Sequence, residues 1–290
     1  DGAGIGAGED GTVSGTITID GNAQVTAWSE DGGAGIGAGE DGTVSGTITI
    51  GGSAQVTAGS NDDGAGIGAG EDGSIAGNGK IIIRDNAKVT AIGEDEGAGI
   101  GTGEDELMAG MIIIQDNAQV TAIAGDSAAA IGSDDRNEMT GTIFIIGNAR
   151  VTTGILDDDA VHFDYDTKEI IYTLDPDEDA IGYIGDSSNS HHDSANGHYV
   201  IGPDVTINGI SGSNIEALKQ YVNMRLSGEN HNGEPENLTK LEIRSENGEF
   251  TVDASGEGKV EKILYDGSET VPTAPGTYPV TCVVRLGNGT

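Results

Sequence analysis

Apolar positions recur along the first half of the chain at a nearly constant interval. A glycine-rich motif with a central isoleucine, Gly-Ala-Gly-Ile-Gly at its first occurrence, returns with intervals of 31, 31, 33 and 31 residues between the isoleucines. Further along each unit, a valine returns with intervals of 31, 33, 31 and 31 residues. The isoleucines are Ile5, Ile36, Ile67, Ile100 and Ile131, and the valines are Val25, Val56, Val89, Val120 and Val151. A period that holds at two places in the unit indicates a repeat architecture.

Within one unit, apolar and polar residues alternate as they do in short β-strands. In residues 15–19 the two isoleucines share one face and the two threonines share the other, because side chains alternate along a strand. Three strands are predicted per unit, at about residues 3–7, 16–19 and 24–27 of the first unit. Like residues then stack one period apart. The sequence therefore predicts an all-β, right-handed parallel β-helix of about five to six coils, each of about 31 residues.

Asparagine recurs at one corner of the unit, three residues before the valine of the coil. The asparagines are Asn22, Asn86, Asn117 and Asn148. In a stacked sheet, side-chain amides at such positions form hydrogen bonds from one layer to the next. We expect these residues to form a structural ladder along the β-helix.

Aspartate forms two further rows, one on each side of the glycine-rich strand. One row lies five residues after the central isoleucine and the other lies five residues before it. The first row is Asp10, Asp41, Asp72 and Asp105, and the second is Asp31, Asp62, Asp95 and Asp126. Carboxylates stacked one coil apart repel each other by about 1 kcal/mol in water. Calcium ions between the coils would relieve this repulsion, since they prefer oxygen ligands; solvated corners screened by salt are the alternative.

Three more aspartates follow the clear repeats. Asp175, Asp177 and Asp179, with Asp186 eleven residues after the first of them, approach the oxygen spacing of a calcium-binding loop. The match is partial, because Ala180 stands where the turn glycine belongs and the terminal glutamate is missing. This segment is a second and weaker candidate for a calcium site.

Aromatic residues are rare in the coils and become frequent after residue 157. Residues 161–165 and 170–174 predict a β-hairpin. Tyr165 and Tyr172 in this hairpin, together with Tyr183, are candidate ligand-binding residues, since aromatic rings can stack on sugars. A role in core packing is the alternative for all three.

The pattern of the coils returns beyond this hairpin. Residues 180–182 match the glycine-rich strand and residues 205–207 match the isoleucine strand of the first coil, which predicts a sixth coil interrupted by an insertion. The insertion would contain His191, His192 and His198. We expect these histidines in a solvated loop. A zinc or nickel site is the alternative, although no spacing here fixes a ligand geometry.

The sequence divides into three regions. Residues 1–212 form the predicted β-helix, with clear repeats over 1–152 and an irregular last coil and insertion over 153–212. Residues 213–239 hold a linker and a short α-helix, which begins with a capping box and continues with apolar residues at helical spacing. We expect this helix to cap the open end of the stack. Residues 240–290 hold four short strands of a small β-sandwich.

Charge and composition restrict the partners. The chain has 49 acidic and 13 basic residues and a formal net charge of -36, which repels nucleic acids and anionic membrane surfaces. No apolar stretch is long enough to span a membrane. We therefore expect neither nucleic-acid binding nor membrane insertion. Cys282 is the single cysteine, which excludes a disulfide framework and a cysteine metal site within the chain.

Two segments resemble parts of bacterial surface proteins. Tyr-Asp-Gly at 265–267 and Pro-Thr-Ala-Pro-Gly-Thr-Tyr-Pro-Val-Thr at 272–281 resemble the closing strands of immunoglobulin-like modules in such proteins. The five glycine-rich coils are similar to repeats of large secreted or wall-attached proteins of Gram-positive gut bacteria. Together the resemblances cover about residues 1–152 and 259–286. They imply an extracellular location at the cell surface and contact with host glycans or proteins. Because the chain begins within a repeat and ends just after a predicted strand, we also expect flanking domains of a longer chain.

Three classes of function are consistent with these patterns. A non-catalytic stalk or adhesin segment agrees best with the regular acidic repeats. A carbohydrate- or host-protein-binding module is the alternative. Parallel β-helices also carry polysaccharide-active enzymes, whose paired carboxylates lie about 5 to 10 Å apart. Because the acidic residues recur in every coil alike, we expect no catalytic site, and calcium as the only cofactor.

Overall fold

The computed structural model describes residues 2–104, 107–125, 128–133, 139–156 and 198–218. It also describes the strands at 162–164, 169–171, 174–175, 181–182, 240–246, 249–255, 259–265 and 280–285. The chain forms two compact units, Asp1–Met224 and Arg225–Thr290. The first unit contains a parallel β-helix with a repeat of about 31 residues, and the second contains two β-hairpins.

The glycine-rich strands form one sheet, sheet A. Each coil contributes a two-residue strand, and all six strands pair in parallel, with isoleucine beside isoleucine and glycine beside glycine. The strands are Ile5–Gly6, Ile36–Gly37, Ile67–Gly68, Ile100–Gly101, Ile131–Gly132 and Ile181–Gly182. The isoleucines of coils two to five are fully buried in the core.

The glycine that ends each of these strands has no room for a side chain. The backbone φ angles of Gly37, Gly68 and Gly101 are 147°, 146° and 153°, a region that residues with a Cβ rarely adopt. A Cβ placed on Gly68 would lie 1.8 Å from the carbonyl oxygen of Gly101 in the next coil. The close approach of the backbones in sheet A therefore requires glycine at this position.

Sheet B occupies a strand position that the sequence pattern did not predict. Its parallel strands are two residues long, and single bridges through Met108 and Met139 continue it. The strands are Thr12–Val13, Thr43–Val44 and Ser74–Ile75. The prediction of three strands per coil was therefore wrong for the first three coils, which have four. A two-residue strand is too short for alternation to identify it.

Sheet C carries the isoleucine columns that the alternation predicts. Ile48 and Ile50 are fully buried, whereas Thr47 and Thr49 beside them are partly exposed. All six strands pair in parallel, and the isoleucine columns are confirmed. The strands are Thr16–Ile19, Thr47–Ile50, Lys80–Ile83, Met111–Ile114, Thr142–Ile145 and His198–Ile201.

Sheet D carries the valine column, whose members in coils two to five are at most 3% exposed. Its parallel strands are Gln24–Ser29, Gln55–Ser60, Lys88–Ile92, Gln119–Ala124, Arg150–Leu156 and Thr206–Ile207. Two antiparallel strands complete the sheet. Leu174–Asp175 pairs with the end of the fifth strand, and Ile210–Ser211 pairs with the sixth.

The corner between sheets C and D holds the predicted asparagine ladder. The side-chain nitrogen of Asn117 donates to the side-chain oxygen of Asn86 (3.4 Å), and Asn148 donates in the same way to Asn117 (3.2 Å). The ladder is therefore confirmed over coils three to five. Asn22 is separated from it, because Ser53 stands at this corner in the second coil.

The first coil carries the single tryptophan of the chain. The ring of Trp28 lies over Gly59, where an added Cβ would be 2.3 Å from a ring carbon. Its indole N–H donates to the side-chain oxygen of Asn61. Trp28 also packs against a buried apolar cluster that includes Ile92 and Ile123. The contacts with Gly59 and Asn61 bind the first coil to the second.

A sixth coil follows the predicted interruption. Ile181–Gly182 continues sheet A beside the fifth coil, as predicted. Sheet C, however, is continued by His198–Ile201, and Thr206–Ile207 continues sheet D. Two expectations were therefore wrong: the latter segment extends the valine column and not an isoleucine column, and His198 lies in a strand and not in the insertion. Both segments alternate in polarity, so the pattern could not distinguish the two positions.

Two smaller elements lie where the sequence predicts them. His162–Asp164 pairs antiparallel with Glu169–Ile171, which confirms the hairpin. A helical turn, Ile215–Leu218, begins after Asn214, whose side-chain oxygen accepts the backbone N–H of Ala217 (3.4 Å). Residues 219–239 lie outside the described residues. A longer helix that caps the stack stays a prediction, as does the right-handed winding of the coils.

The second unit contains the four strands that the sequence predicts. Lys240–Glu246 pairs antiparallel with Glu249–Ser255, and Lys259–Tyr265 pairs antiparallel with Val280–Arg285. The two hairpins are two separate two-stranded sheets. An immunoglobulin-like sandwich therefore stays a prediction.

Candidate metal centre

The acidic turns on the two sides of sheet A come together in coils two to four. Backbone hydrogen bonds between coils join them: the N–H of Glu71 donates to the carbonyl oxygen of Gly32 (2.6 Å), and the N–H of Glu104 donates to that of Asp63 (3.0 Å). A glycine permits this approach, since a Cβ on Gly103 would lie 2.3 Å from the carbonyl oxygen of Asp63. The turns that precede and follow the glycine-rich strand therefore share one corner.

Six carboxylates of the described residues occupy this corner, and we name them the acidic cluster. Its members are Asp62, Asp63, Glu71, Glu94, Asp95 and Glu104. Carboxylate oxygens of Asp62, Asp63 and Asp95 lie within 4.8 Å of one another, and the same holds for Asp63, Glu71 and Glu104. Asp63 belongs to both groups of three and is the centre of the cluster.

Burial and mutual repulsion raise the pKa values of three of these groups. The pKa of Asp63 is raised to about 6, mainly by burial; the backbone N–H of Glu96, which donates to its carboxylate (3.1 Å), opposes the shift, and neighbouring carboxylates add to it. The pKa of Glu71 rises to about 7 because of burial and then the charge of Asp63. The pKa of Glu94 rises to about 7 because of burial and then the charge of Asp95. Each of the three is therefore less stable as an anion than it would be in water.

Among the described residues, only one of the two predicted aspartate rows supplies members of the cluster. Asp62 and Asp95, from the row before the isoleucine, belong to it. Asp31 of the same row is exposed. Asp126, the last member of the row, lies outside the described residues.

The other predicted row lies in exposed turns. Asp10, Asp41 and Asp72 have φ angles of 55°, 54° and 51°, in the left-handed region that aspartate tolerates. The backbone N–H of each donates to a carbonyl oxygen of the next coil, as Asp10 does to Glu40 (2.9 Å). In the structure these three aspartates form the turn through their backbone conformation and hydrogen bonds. Asp105 lies outside the described residues.

Four members of the cluster were not predicted from the sequence. For Glu71 and Glu104 a signal existed, since a glutamate precedes each aspartate of the row after the isoleucine and recurs with the same period. Asp63 aligns with Gly32 of the first coil, and Glu94 aligns with Glu30 there but with Asn61 in the next coil, so neither position is acidic in every coil. Periodicity alone therefore does not identify them.

The remaining predicted site residues are not part of the cluster. Asp175 lies in a strand beside Ile155, and its side chain is not among those described. The following lie outside the described residues, and their roles stay predictions: Asp177, Asp179, Tyr165, Tyr172, Tyr183, His191 and His192.

The spacing of the cluster suits a hard divalent cation. Calcium takes oxygen ligands at about 2.3 to 2.6 Å, so two oxygens bound to one ion lie at most about 5 Å apart. The oxygens of each group of three meet this limit. An ion bound there would replace repulsion between the carboxylates by attraction to a shared positive charge.

Comparisons with known proteins give no relative. No protein-family model matches the chain, and no curated protein and no solved structure matches it. Within the part of the chain that the structure describes, no helix has the length and apolar character needed to cross a membrane. Any role of the acidic cluster therefore has to be argued from its geometry and charge.

Proposed function

We propose that this chain is a non-catalytic segment of an extracellular bacterial surface protein, in which it acts as a rigid stalk or adhesin. One observation carries the proposal: sheets A, C and D continue in parallel pairing from the first coil to the sixth. A stack in which every coil is hydrogen-bonded to the next on three faces resists bending.

Packing between the coils adds to this stiffness. Ile48, Ile81 and Ile112 form one fully buried column, and each pairs with its counterpart in the next coil. In a linear repeat each coil is stabilised by its neighbours, so bending would separate both backbone hydrogen bonds and packed isoleucines. Five spacings of about 4.8 Å give a stack about 24 Å long from the first coil to the sixth.

We further propose that the acidic cluster binds calcium and thereby stiffens coils two to four. The support is the convergence of two groups of carboxylates on Asp63. Burial, and then mutual repulsion, raises the pKa of Asp63, and a bound cation would relieve that repulsion. Because members of the cluster come from successive turns, an ion bound there would connect coils that are otherwise joined by backbone hydrogen bonds and core packing.

The extracellular location and the host partner are supported by composition and resemblance. The chain is acidic and has one cysteine, and its glycine-rich coils and residues 272–281 resemble segments of bacterial surface proteins. A glycan or protein of the host is the partner that this context implies. Flanking domains of a longer chain would supply attachment to the cell wall.

Spin-label distances test the stalk proposal. Ser14 and Thr140 are exposed and occupy the same position of the first and fifth coils. Nitroxides on Ser14→Cys and Thr140→Cys, in a chain with Cys282→Ser, are separated by four coil spacings, about 19 Å along the backbone. A rigid stack gives one narrow distance distribution in pulsed electron paramagnetic resonance.

A shorter pair provides the control. Ala109 occupies the same position one coil before Thr140, so Ser14→Cys with Ala109→Cys reports the width that the labels themselves contribute. Equal widths for the two pairs support a rigid stack. A distribution that broadens with separation, or one with several maxima, contradicts the stalk proposal.

A further inference from the structure

The outer face of sheet D forms a shallow groove of about 740 Å³ that runs across five coils. Each coil presents two outward side chains there. The first is a glutamine or a cation: Gln24, Gln55, Lys88, Gln119 and Arg150 in successive coils. The second is a threonine two residues further along each strand. The groove is therefore polar, and its pattern repeats with the period of the stack.

The charge of this groove is opposite to that of the chain. No carboxylate of the described residues lines it, although the chain has 49 acidic and 13 basic residues. Lys88 and Arg150 are exposed, and neither forms an ion pair with any residue that the structure describes. They lie in one column with Gln119 between them, so the two cations are two coil spacings apart, about 10 Å. Two unpaired cations in so acidic a protein indicate a place for anionic groups.

The periodicity of the groove suits an extended polymer. The same hydrogen-bonding groups return in every coil, about every 4.8 Å, so a ligand with a short repeat of its own can form the same contacts several times. Glutamine amides and threonine hydroxyls both donate and accept hydrogen bonds, as sugar hydroxyls do. An added peptide strand would need a free strand edge, and the sheet D strands of coils two to five are paired on both sides.

We propose that this groove binds a linear polysaccharide that carries a carboxylate on alternate sugars. Its hydroxyls would bind the glutamine and threonine side chains, and its carboxylates would pair with Lys88 and Arg150. The repulsion from the net charge of -36 is screened beyond about 10 Å at 0.1 M salt, whereas the two cations act at contact. None of the described residues that line the groove is aromatic, so affinity depends on contacts summed over several coils.

Calorimetry with defined oligosaccharides tests the ligand class. Hyaluronan oligosaccharides carry a carboxylate on alternate sugars, chitin oligosaccharides of equal length carry none, and polyglutamate is a polyanion that is not a sugar. The full chain is expected to bind hyaluronan at least about tenfold more tightly than either control, because charge-assisted hydrogen bonds are the stronger ones. Absence of hyaluronan binding, or equal binding of either control, overturns the proposal.

Substitutions taken from the repeat itself test the site. The double variant Lys88→Gln with Arg150→Gln replaces both cations by glutamine, which the other three coils have at this position. It is expected to weaken hyaluronan binding about tenfold or more. The control, Lys80→Thr with Arg84→Gln, removes two cations outside the groove and introduces residues that also occur in those columns. Its affinity is expected to stay within about twofold of the original.

The control also separates local from global electrostatics, since both variants change the net charge equally. An equal loss of affinity in the two variants would mean that only net charge matters, which contradicts the proposed site. Unchanged far-UV circular dichroism verifies that both variants keep the fold. Binding does not depend on the stalk proposal: a stack that fails the spin-label test can still bind hyaluronan, and a rigid stack can fail to bind it.

Discussion

The backbone N–H of Glu104 donates to the carbonyl oxygen of Asp63 (3.0 Å), which joins acidic turns that lie 41 positions apart in the sequence. The hydrogen bond that aligns the turns also brings the carboxylates of Asp63, Glu71 and Glu104 within 4.8 Å of one another. Alignment of the coils and concentration of charge are therefore coupled. Conditions that remove this charge are expected to stabilise the stack.

Thermal stability is expected to rise as the pH falls from about 8 to about 5. The pKa values of Asp63, Glu71 and Glu94 in the folded chain are about 6, 7 and 7, above the ordinary values of 3.8 for aspartate and 4.5 for glutamate. A raised pKa means that the folded state binds the proton more tightly than the unfolded state. The resulting stabilisation is complete below about pH 4 and is lost as the pH rises through about 6 to 7. Melting temperatures at constant ionic strength measure it.

Charge-neutral variants isolate the cluster from the overall charge. Asp63→Asn with Glu71→Gln is expected to flatten the dependence of the melting temperature on pH between about 5 and 8. The control, Glu9→Gln with Asp10→Asn, removes the same charge at exposed positions and is expected to leave the slope in place. The same flattening in both variants would show that the net charge, and not the cluster, sets the pH dependence.

Calcium at millimolar concentration is expected to raise the melting temperature. The comparison is with excess EDTA and with sodium chloride of matched ionic strength, since screening alone also reduces repulsion. A ligand that binds only the folded state adds about 2.7 kcal/mol to the free energy of unfolding at 100 times its dissociation constant. Coincident unfolding curves would mean that the carboxylates are solvated corners and not an ion site.

Single substitutions locate the calcium effect. Asp63→Asn is expected to abolish the rise in melting temperature, because Asp63 belongs to both groups of three carboxylates. Asp10→Asn is expected to retain it, since Asp10 is exposed in another turn and asparagine tolerates its left-handed backbone. A rise that survives Asp63→Asn would place the calcium site elsewhere in the chain.

Gly68→Ala is expected to destabilise the fold by about 4 kcal/mol or more, a loss typical of severe steric conflict. Its Cβ would lie 1.8 Å from the carbonyl oxygen of Gly101, and its φ is 146°. Gly77→Ala in the same coil is the control: its Cβ would meet only the carbonyl oxygen of Ala109, at 3.9 Å, and a change within about 0.5 kcal/mol is expected. Chemical denaturation followed by circular dichroism measures both. Equal losses would mean that sheet A accommodates a side chain.

Asn117→Ala is expected to reduce the free energy of unfolding by about 1 kcal/mol, the usual contribution of a hydrogen bond. Asn117 is the middle of the ladder, since it donates to Asn86 and accepts from Asn148. Asn22→Ala is expected to have a smaller effect, because Ser53 separates Asn22 from the ladder. Chemical denaturation followed by circular dichroism measures both variants. A larger loss in the free energy of unfolding for Asn22→Ala would argue against a stabilising ladder.

The isoleucine and valine columns could be predicted because two independent signals coincide in them. The 31-residue period gives the stacking partner, as for Ile17 and Ile48, and the alternation gives the buried face. Sheet B could not be predicted, since a strand such as Thr43–Val44 covers only one period of strand alternation, which is too short to establish a pattern. The sixth coil was predicted, but the position of Thr206–Ile207 in it was wrong, because two segments carry the same alternation.

The acidic cluster could be predicted only in part, for a different physical reason. Asp62 and Asp95 recur with the repeat. The place of Asp63 in the cluster depends instead on the hydrogen bond that its carbonyl oxygen accepts from the backbone N–H of Glu104, and no sequence pattern indicates this bond. The repeat period of the sequence determines which residues stack in a column along the β-helix. It does not determine which columns meet at a corner, because this depends on the path of the turns and on the backbone contacts between coils.

The contact between Trp28 and Gly59 has a consequence for folding. Residues 2–28 and 33–59 differ at only three positions. The strands of the first two coils are therefore nearly identical, and either coil could pair with the same neighbouring coil. The tryptophan ring needs a glycine beneath it and the Asn61 amide beside it. Among the described coils, only the second offers this combination. Trp28 thus makes slippage by one whole repeat energetically distinguishable from the native alignment.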